Sequence, residues 1–357
     1  MEVYHVGVDL HKDFSQVTAI DDEGNVLSKK RLANEDDVLE EYFSKVPKGS
    51  PVVMEATMSW YWMSDFVEEM GLKPVLAHPK KVRIIAEATV KTDKIDSEVL
   101  AHLERTNFLP VSYIPPKEIR DARELLRYRM YLVRIRASFK NRAHSVLGKM
   151  GIRHGYADCF VGAGLNFLKE LKLPEVYRKE LDGHLKLIAE VTKEIKEIEK
   201  KIKACVKEES EDARLLMTIP GISWFSGLLL AAEIGNIKRF RSYRKLCAYG
   251  GVVPTTAESA DKVHQGHIMK DSNKYIRYCL VEAVDHAIRK DLKLRSLYRK
   301  VQRKKGTTKA RIAVSRKLLI SIYYMLKNRT GYEISHKKSY RGKEYRIKTF
   351  KRVSPCE

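Results

Sequence analysis

The sequence has 357 residues, 44% of them hydrophobic, which is enough for two or three domains with buried cores and argues against a broadly disordered chain. The net charge of +22 is uneven, because residues 1–110 hold 13 basic and 20 acidic side chains whereas residues 289–357 hold 23 and 4, and this predicts a polyanionic partner. Five scattered cysteines without a C-x-x-C pair argue against a zinc ribbon or a disulfide framework, and the lack of a signal-peptide pattern or a membrane-length apolar run predicts a cytoplasmic protein with no membrane partner.

Strands and helices alternate in the first part of the chain. Residues 3–32 predict strands around the turn "DDEGN", and residues 34–46 predict a helix that opens at Asn34. The segments "SPVVMEA" and "KPVLAH" predict buried strands on either side of the helix "SWYWMSDFVEEMG". The order βββαβαβ, followed by helices, predicts an α/β fold with a mixed sheet.

Two long helices are predicted next. The first is basic and runs from Pro115 to about Lys149, with two prolines setting its start. Residues 151–175 hold several glycines and predict irregular structure. In residues 178–209 apolar side chains recur about every 3.5 positions between charged flanks, a pattern typical of a coiled coil. The alternative is a helical hairpin within the chain, and only a coiled coil between chains implies self-association.

The last part of the chain predicts a mostly α-helical domain followed by a basic segment. "LLMTIPGISWFSGLLLAAEIG" predicts two helices joined at Pro220 and Gly221, a helix-hairpin-helix-like pattern. The backbone amides at Gly221 and the next helix N-terminus can hold a phosphate without reading base sequence. The alternative is a plain helical hairpin with the apolar run as its core. The basic segment, residues 301–357, contains the amphipathic helix "ARIAVSRKLLISIYYMLKNRTG", which ends at Gly331.

Four acidic residues have the arrangement of metal ligands. Asp9 ends a strand in "VGVDLHK" and Glu55 ends another in "VVMEAT", where open α/β sheets place ligand sites. Asp93 and Asp96 in "KTDKIDSEVLA" are three residues apart and can share a helix face, whereas Glu98 faces elsewhere. Since Mg²⁺ prefers oxygen ligands, the four acids predict a Mg²⁺ site suited to phosphoryl transfer. Any one of these acids alone is also explained as a surface charge or a helix cap.

A family resemblance rests on three acidic segments. "VGVDLHKDFSQV", "VVMEATMSWYW" and "KTDKIDSEVLA" resemble the motifs of the DEDD-type insertion-sequence transposases, and the resemblance covers nearly the whole chain. It implies an RNase H-like (RuvC-like) first domain with the four acids as the Mg²⁺-binding tetrad. "KTDKID" is the most specific match, although Ser97 stands where the family usually has alanine.

The segment "GGVVPTTAESADKVHQGHIMKDSNKYIRYCL" is similar to the central motif of the same family's C-terminal domain. There a proline turn leads to a serine that is understood to attack DNA and form a phosphoserine link, which implies this role for Ser259 after Pro254. We expect the segment around Ser259 to be a loop, in which Ala260 stands where the family usually has glycine. Serine is a weak nucleophile without activation, which the carboxylate–metal site can supply.

Basic and polar residues throughout the rest of the chain are predicted to contact nucleic acid, because cations and helix N-termini hold phosphates. The alternative is a solvated basic face. The predicted contacts are Arg127, Arg134, Lys140, Arg142, Gly221, Lys238, Arg239, Arg241, Lys270, Asn273 and Arg277.

The predicted organisation has four parts: a RuvC-like DEDD domain over residues 1–150, a linker and coiled-coil helix over 151–210, a serine-containing domain over 211–300 and a basic helix and tail over 301–357. The resemblance implies a recombinase of an insertion sequence that exchanges strands between target and donor DNA. It also implies guidance by a structured RNA and assembly as dimers that pair into tetramers. One alternative is a RuvC-like Mg²⁺-dependent nuclease or junction resolvase without serine catalysis. Another is a non-catalytic nucleic-acid-binding protein.

Overall fold

A computed structural model describes residues 3–85, 93–205, 210–259, 262–269 and 271–334. The chain divides into two compact units, Met1–Pro115 and Pro116–Glu357. The long basic helix, which the sequence groups with the first domain, belongs by packing to the second unit, because its apolar residues pack against other helices there.

The first unit is built on a mixed six-stranded sheet, which confirms the predicted α/β class. The strand order is β3-β2-β1-β4-β5-β6, with β1, β4 and β5 parallel to one another and the remaining pairs antiparallel. Its elements are β1 (His5–Leu10), β2 (Phe14–Ile20), β3 (Val26–Ala33), α1 (Asp36–Phe43), β4 (Pro51–Glu55), α2 (Trp60–Glu69), β5 (Lys73–Ala77), α3 (Pro79–Ile85), α4 (Asp93–Arg105) and β6 (Val111–Ser112).

Helix α1 begins two residues later than the sequence predicts. Asn34, the predicted start, instead fixes the turn between β1 and β2: its amide donates to the carbonyl of His11 at 2.9 Å, and its side-chain oxygen accepts from Ser15 at 2.6 Å. Because these bonds use both ends of the Asn34 side chain, the helix begins at Asp36.

The two faces of the sheet are covered by different helices. Val8 and Met54 lie on the face that packs against Phe43 of α1 and Met63 of α2. Side chains alternate along a strand, so Val53 points to the other face, where it shares a small core with Leu100 of α4. Gly7 and Asp9 on β1 therefore face α4, as Val53 and Glu55 do on β4.

Gly7 is the point where α4 comes closest to the sheet. A methyl group at this position would stand 1.9 Å from the carbonyl oxygen of Ser97 and 2.8 Å from the amide nitrogen of Ala101. Both obstacles are backbone atoms, so they can retreat only if the whole helix moves. Glycine at residue 7 thus allows α4 to lie directly on β1.

We expect Gly7→Ala to destabilise the first unit by about 3 kcal/mol, because overpacking a tight contact costs energy and α4 has to shift. Denaturant unfolding measures the change. The control is Gly148→Ala in a helix of the second unit, where nothing lies within 4 Å of the added methyl group, and this variant should keep its stability or gain up to about 1 kcal/mol, because alanine favours a helix more than glycine does. An unchanged free energy of unfolding in Gly7→Ala would show that α4 does not pack as described.

The second unit is mostly helical, as the sequence predicts. Within the described residues, no helix is both long enough and apolar enough to cross a membrane. The elements of the second unit are α5 (Lys117–Lys149), α6 (Gly162–Glu170), α7 (Glu175–Cys205), α8 (Glu211–Met217), α9 (Trp224–Ile234), a 3₁₀ turn (Ile237–Arg239), α10 (Tyr243–Tyr249), β7 (Pro254–Ser259), β8 (Lys262–Ile268), α11 (Lys274–Lys290) and α12 (Leu292–Asn328).

The long helices α5 and α7 pack on each other within the chain. At one end Ile198 and Ile202 of α7 share a core with Leu126 of α5, and at the other Leu181 lies with Leu147. This is the intrachain hairpin that the sequence left as an alternative. The apolar face of α7 is buried without a second chain, and a coiled coil between chains stays a prediction.

The α8–α9 connection contains the predicted proline–glycine turn. Gly221 has a φ of 95°, and a methyl group there would lie 2.8 Å from the carbonyl oxygen of Ala283 on α11. Ser223 caps α9 by accepting from the amide of Ser226. The glycine is therefore needed for packing against α11, and a phosphate-binding role for its amide stays a prediction.

Three elements of the second unit differ from the sequence-based expectation. Residues 254–268, expected as a loop, form the antiparallel hairpin of β7 and β8. Helix α6 lies within the segment expected to be irregular. Helix α12 begins at Leu292, well before the predicted tail helix, and Gly306 (φ 82°, ψ 170°) breaks it into two helical parts.

Candidate active site

Asp9 and Glu55 lie side by side near the carboxyl ends of β1 and β4, two neighbouring strands in the middle of the sheet. In the parallel pair β1–β4, Val8 is opposite Met54, and Asp9 and Glu55 are the residues that follow them. Both carboxylates therefore point to the face covered by α4. The carboxyl ends of parallel strands are where α/β sheets place their ligands, as the sequence predicts.

Helix α4, which lies on this side of the sheet, carries a third acidic residue, Asp96. Asp96 directly precedes Ser97, whose carbonyl lies over Gly7, two residues before Asp9. Asp93 is the first residue of α4, and its side chain lies outside the described part of the structure. Glu98 faces away and pairs with Lys29 of β3 at 2.6 Å, as predicted from the helical spacing.

Two polar contacts hold α4 on the sheet. The hydroxyls of Ser97 and Thr18 on β2 are hydrogen-bonded at 2.8 Å in a buried position. Further along, Glu104 pairs with Nδ1 of His5 on β1. Ser97 thus makes a bond to the sheet that alanine could not make, and the two contacts fix both the rotation and the distance of α4.

His11 is a neighbour of the carboxylates that sequence reasoning missed. Its Nε2 lies 3.1 Å from Oδ2 of Asp9, and its ring stacks on Phe14 at 4.5 Å. The guanidinium of Arg31 also lies over the Phe14 ring, 3.6 Å from its centroid. The sequence indicates this neighbour only by its position, because His11 follows Asp9 by two residues and precedes the aromatic Phe14 by three.

Ser259 is the last residue of β7, at the tip of the hairpin. It is paired with Lys262 of β8, so only residues 260 and 261 connect the two strands. The side chain of Ser259, and the residues Ala260, Asp261 and Lys270, lie outside the described part of the structure. The backbone places Ser259 at the end of the hairpin that is furthest from its attachment to the helical core.

The base of the hairpin is fixed by Arg277 and two glycines. The Arg277 guanidinium donates to Oγ of Ser272 at 3.1 Å and to the carbonyl of Gly251 at 3.4 Å. A methyl group on Gly251 would stand 2.1 Å from the Ser272 hydroxyl, and one on Gly266 would stand 2.4 Å from Oγ1 of Thr255. These close approaches set the direction in which the hairpin leaves α10 and α11.

A buried carboxylate organises the helices beneath the hairpin. Glu233 of α9 is completely buried and makes a bidentate pair with Arg127 of α5, at 2.7 and 2.9 Å. Asn273, which caps α11, donates to the same carboxylate at 2.7 Å. The buried Arg123 donates to the backbone carbonyls of Ala232 and Glu233. One acid therefore ties α5 to α9 and to the start of α11.

We expect Glu233→Gln to destabilise the second unit by about 3–5 kcal/mol. The substitution removes the negative charge that pairs with both Arg127 and the buried Arg123, so these two cations lose their anionic partner inside the fold. Chemical denaturation measures this. Glu124→Gln removes an acid that is 60% exposed and also lies near Arg127, and it should change stability by less than about 0.5 kcal/mol. Equal stabilities of the two variants would contradict the role given to Glu233.

Two family models match the chain over separate segments. The DEDD transposase model of the IS110 type, described as a transposase, matches residues 6–152, and the model described as Transposase IS116/IS110/IS902 family matches residues 213–299. The chain belongs to the DEDD-type IS110 family of insertion-sequence transposases. As a transposase it acts on DNA, and the mixed six-stranded sheet with its helices is consistent with a RuvC-like α/β domain.

Relatives in three bacteria support this membership. The transposase for insertion sequence element IS1328 of Yersinia enterocolitica is 28% identical over 279 residues, which is 78% of this chain and 81% of the relative. A probable family 20 transposase of Pseudomonas aeruginosa is 26% identical over 93% of this chain and 99% of its own length. The transposase for insertion sequence element IS1111A of Coxiella burnetii is 26% identical over 92% and 90%. The similarity therefore extends over both compact units.

The carboxylates of this transposase fit a hard divalent cation. Asp9, Glu55 and Asp96 offer oxygen donors from three different elements, β1, β4 and the helix α4 that lies on the same side of the sheet as the first two side chains. Such acids repel one another without a cation, and Mg²⁺ favours a few carboxylates completed by water and substrate phosphates. The donor set thus agrees with the divalent-metal dependence that is general for DEDD transposases.

The predicted nucleic-acid contacts of the transposase fall into two groups. Arg134, Arg142, Lys238 and Arg241 are exposed, and the last two line a cleft of about 1170 Å³. Five more have protein partners, and among these Lys140 pairs with Asp158, and Arg239 donates to the carbonyl of Ile234 and lies over Phe240, whereas Lys270 lies outside the described part of the structure. Together with the bonds of Arg127, Asn273 and Arg277, these contacts give the second group a structural role. The nucleic-acid role of both groups stays a prediction.

Proposed function

We propose that this transposase cuts and exchanges DNA strands through a Mg²⁺ site held by Asp9, Glu55, Asp93 and Asp96, with Ser259 as the nucleophile. The observation that carries the proposal is the placement of three acidic residues on the same side of the sheet. Asp9 and Glu55 are adjacent in register, and α4 is pressed against β1 at Gly7 so that Asp96 comes to the same face. The position of Ser259 at a hairpin tip suits a residue that has to reach a large substrate.

The serine step conserves a phosphodiester-like bond. The bond between Ser259 Oγ and phosphorus forms as the bond between phosphorus and the departing strand's oxygen breaks, and the serine proton ends on the departing hydroxyl. Divalent ions on the carboxylates, when bound, would activate the nucleophile and stabilise the leaving oxygen. Because the phosphoserine ester is close in energy to the original bond, a hydroxyl of another strand can reverse the step and complete an exchange without an external energy source.

The nucleic-acid partners proposed are target DNA, donor DNA and a structured RNA that bridges them. The support from the structure is electrostatic: Arg299, Lys300, Arg303 and Lys304 are exposed along the first part of α12. Neutralising phosphates with such cations binds nucleic acid without reading its sequence. The RNA, and an active complex of dimers paired into a tetramer, rest on the family resemblance.

The test is to trap and map a covalent protein–DNA adduct. The full chain is incubated with labelled DNA carrying the element's ends, its non-coding RNA and Mg²⁺, then denatured, digested and analysed by mass spectrometry. We expect a Mg²⁺-dependent adduct on Ser259. Strand cleavage without any adduct would favour the Mg²⁺-dependent nuclease or resolvase instead. An adduct on another residue would refute the assignment of Ser259, and binding without cleavage under every divalent ion would favour the non-catalytic protein.

A further inference from the structure

A cluster of nitrogen and sulfur donors lies in the second unit, in residues that the proposed reaction does not use. His144 is on α5, and His154 and Cys159 are in the connection between α5 and α6. One ligand atom from each of the three lies within 4.8 Å of the others. In a tetrahedral zinc site the ligand atoms are about 3.3–3.8 Å apart, so a small closure of this cluster would reach that spacing.

We propose that His144, His154 and Cys159 bind one Zn²⁺ ion, with the fourth position open to water on the side of His144. The donor set favours this metal, because imidazole nitrogen and thiolate sulfur suit Zn²⁺ and do not suit Mg²⁺. The proposal is independent of the proposed recombination chemistry.

The burial of the three side chains fits a site that is rigid on one side and adjustable on the other. Cys159 is only 1% exposed, and a methyl group on Gly164 of α6 would stand 2.6 Å from its Cα, so its backbone is tightly enclosed. His144 is exposed on the surface of α5, with its ring against Phe160 at 5.1 Å. The closure needed for a metal can thus come from the His144 ring.

His154 provides an independent indication. Its Nδ1 atom is buried, and no hydrogen-bond partner meets it among the described residues. Its ring stacks on that of His144, 5.6 Å between centroids with planes 27° apart. Two imidazoles held face to face beside a thiol, one with an unsatisfied buried nitrogen, are explained if a cation joins them.

Zinc binding would release one proton. Burial raises the pKa of the Cys159 thiol, so without metal the group is protonated at neutral pH. Ligation forms the sulfur–zinc bond and transfers the thiol proton to the buffer, while both histidines bind as neutral rings. The ion would then fasten the connection between α5 and α6 to α5.

In the experiment, the full-length chain is first treated with a chelator and is then titrated with Zn²⁺ in the presence of excess Mg²⁺. Isothermal titration calorimetry measures the binding. Co²⁺ replaces Zn²⁺ in a parallel titration that reads tetrahedral absorption and a sulfur-to-cobalt charge-transfer band. We expect one Zn²⁺ per chain, one proton released and a higher Tm. Cys159→Ala should remove the charge-transfer band, and His144→Gln should weaken binding by more than about 100-fold, beyond the effect of losing an outer-shell partner.

Matched controls are Cys247→Ala, which removes another buried cysteine, and His286→Gln, which removes another exposed helical histidine. Both should bind Zn²⁺ as the unmodified chain does. Because His144 is exposed, its variant tests the site even if Cys159→Ala folds poorly. Absence of stoichiometric Zn²⁺ binding, or binding unaffected by His144→Gln, would overturn the proposal.

Discussion

Asp9→Asn is expected to lower the rate of DNA strand cleavage and transfer by more than about 1000-fold, which corresponds to about 4 kcal/mol of activation free energy. Asp9 lies beside Glu55 in register and beneath α4, so it is the central ligand of the proposed metal site. Asparagine keeps the shape of the side chain and removes the charge that holds a divalent ion. Cleavage of labelled DNA in Mg²⁺ measures the rate, and calorimetry measures metal binding.

The matched control for this variant is Asp13→Asn. Asp13 is exposed and lies four residues further along the chain, outside β1 and β2, so its charge is near the site without being part of it. It should retain cleavage within about threefold, the size of an effect from a solvated surface charge. Full activity of Asp9→Asn, with the fold intact, would exclude Asp9 as a metal ligand.

Ser259→Ala is expected to abolish the covalent adduct and to lower strand exchange by at least about 10,000-fold, because no other group can replace an attacking hydroxyl. DNA binding should stay unchanged, since the substitution removes one oxygen at the tip of a hairpin whose base is held by Arg277. Gel analysis of denatured protein–DNA complexes measures the adduct, and a filter-binding titration measures affinity.

Ser296→Ala provides the comparison, because Ser296 is an exposed serine on α12 of the same unit. This variant should form the adduct at the normal rate. Ser259→Cys is a further comparison, because a thiol at the same position can attack phosphorus slowly or not at all while preserving size. Strand exchange by Ser259→Ala at the normal rate would refute Ser259 as the nucleophile, whereas strand cleavage without exchange would favour the water-dependent nuclease, which needs Asp9 but not Ser259.

The sequence predicts the elements of the first unit well because each has a local pattern. Apolar runs and turn residues mark β1, β4 and β5, and the strand-end positions of Asp9 and Glu55 follow from them. The close contact of α4 with β1 could not be predicted. It depends on Gly7, Ser97 and Thr18 meeting in space, and glycine in a strand is equally compatible with a bulge or a bend.

The β7–β8 hairpin was open to prediction and was missed. Its strands, "PTTAES" and "KVHQGHI", carry β-branched residues and are separated by two residues, which favours a hairpin. The serine, glycine and proline in the segment suggested a loop instead. The correct interpretation changes the setting of Ser259, which ends a strand rather than standing in an unstructured turn.

The partners of the arginines are the part that sequence reasoning cannot supply. Arg127 and Glu233 are 106 positions apart, and Asn273 is a further 40 away, so no local pattern indicates that they share one buried network. From the sequence, each basic residue is equally available to a phosphate. Only the fold shows which of them already have a protein anion or carbonyl as partner.

The network at Glu233 also affects how steeply the affinity for DNA falls as the salt concentration rises. When a cation neutralises a phosphate, counterions leave the DNA, and each such contact steepens the fall of affinity with salt. Arg127, engaged by the Glu233 carboxylate, and Arg123, bound to backbone carbonyls, do not release counterions while they hold α5 in place. The count of 68 lysines and arginines therefore overstates the number of cations that can displace counterions. By consuming positive charge inside the fold, one buried acid leaves the transposase less sensitive to ionic strength than its composition suggests.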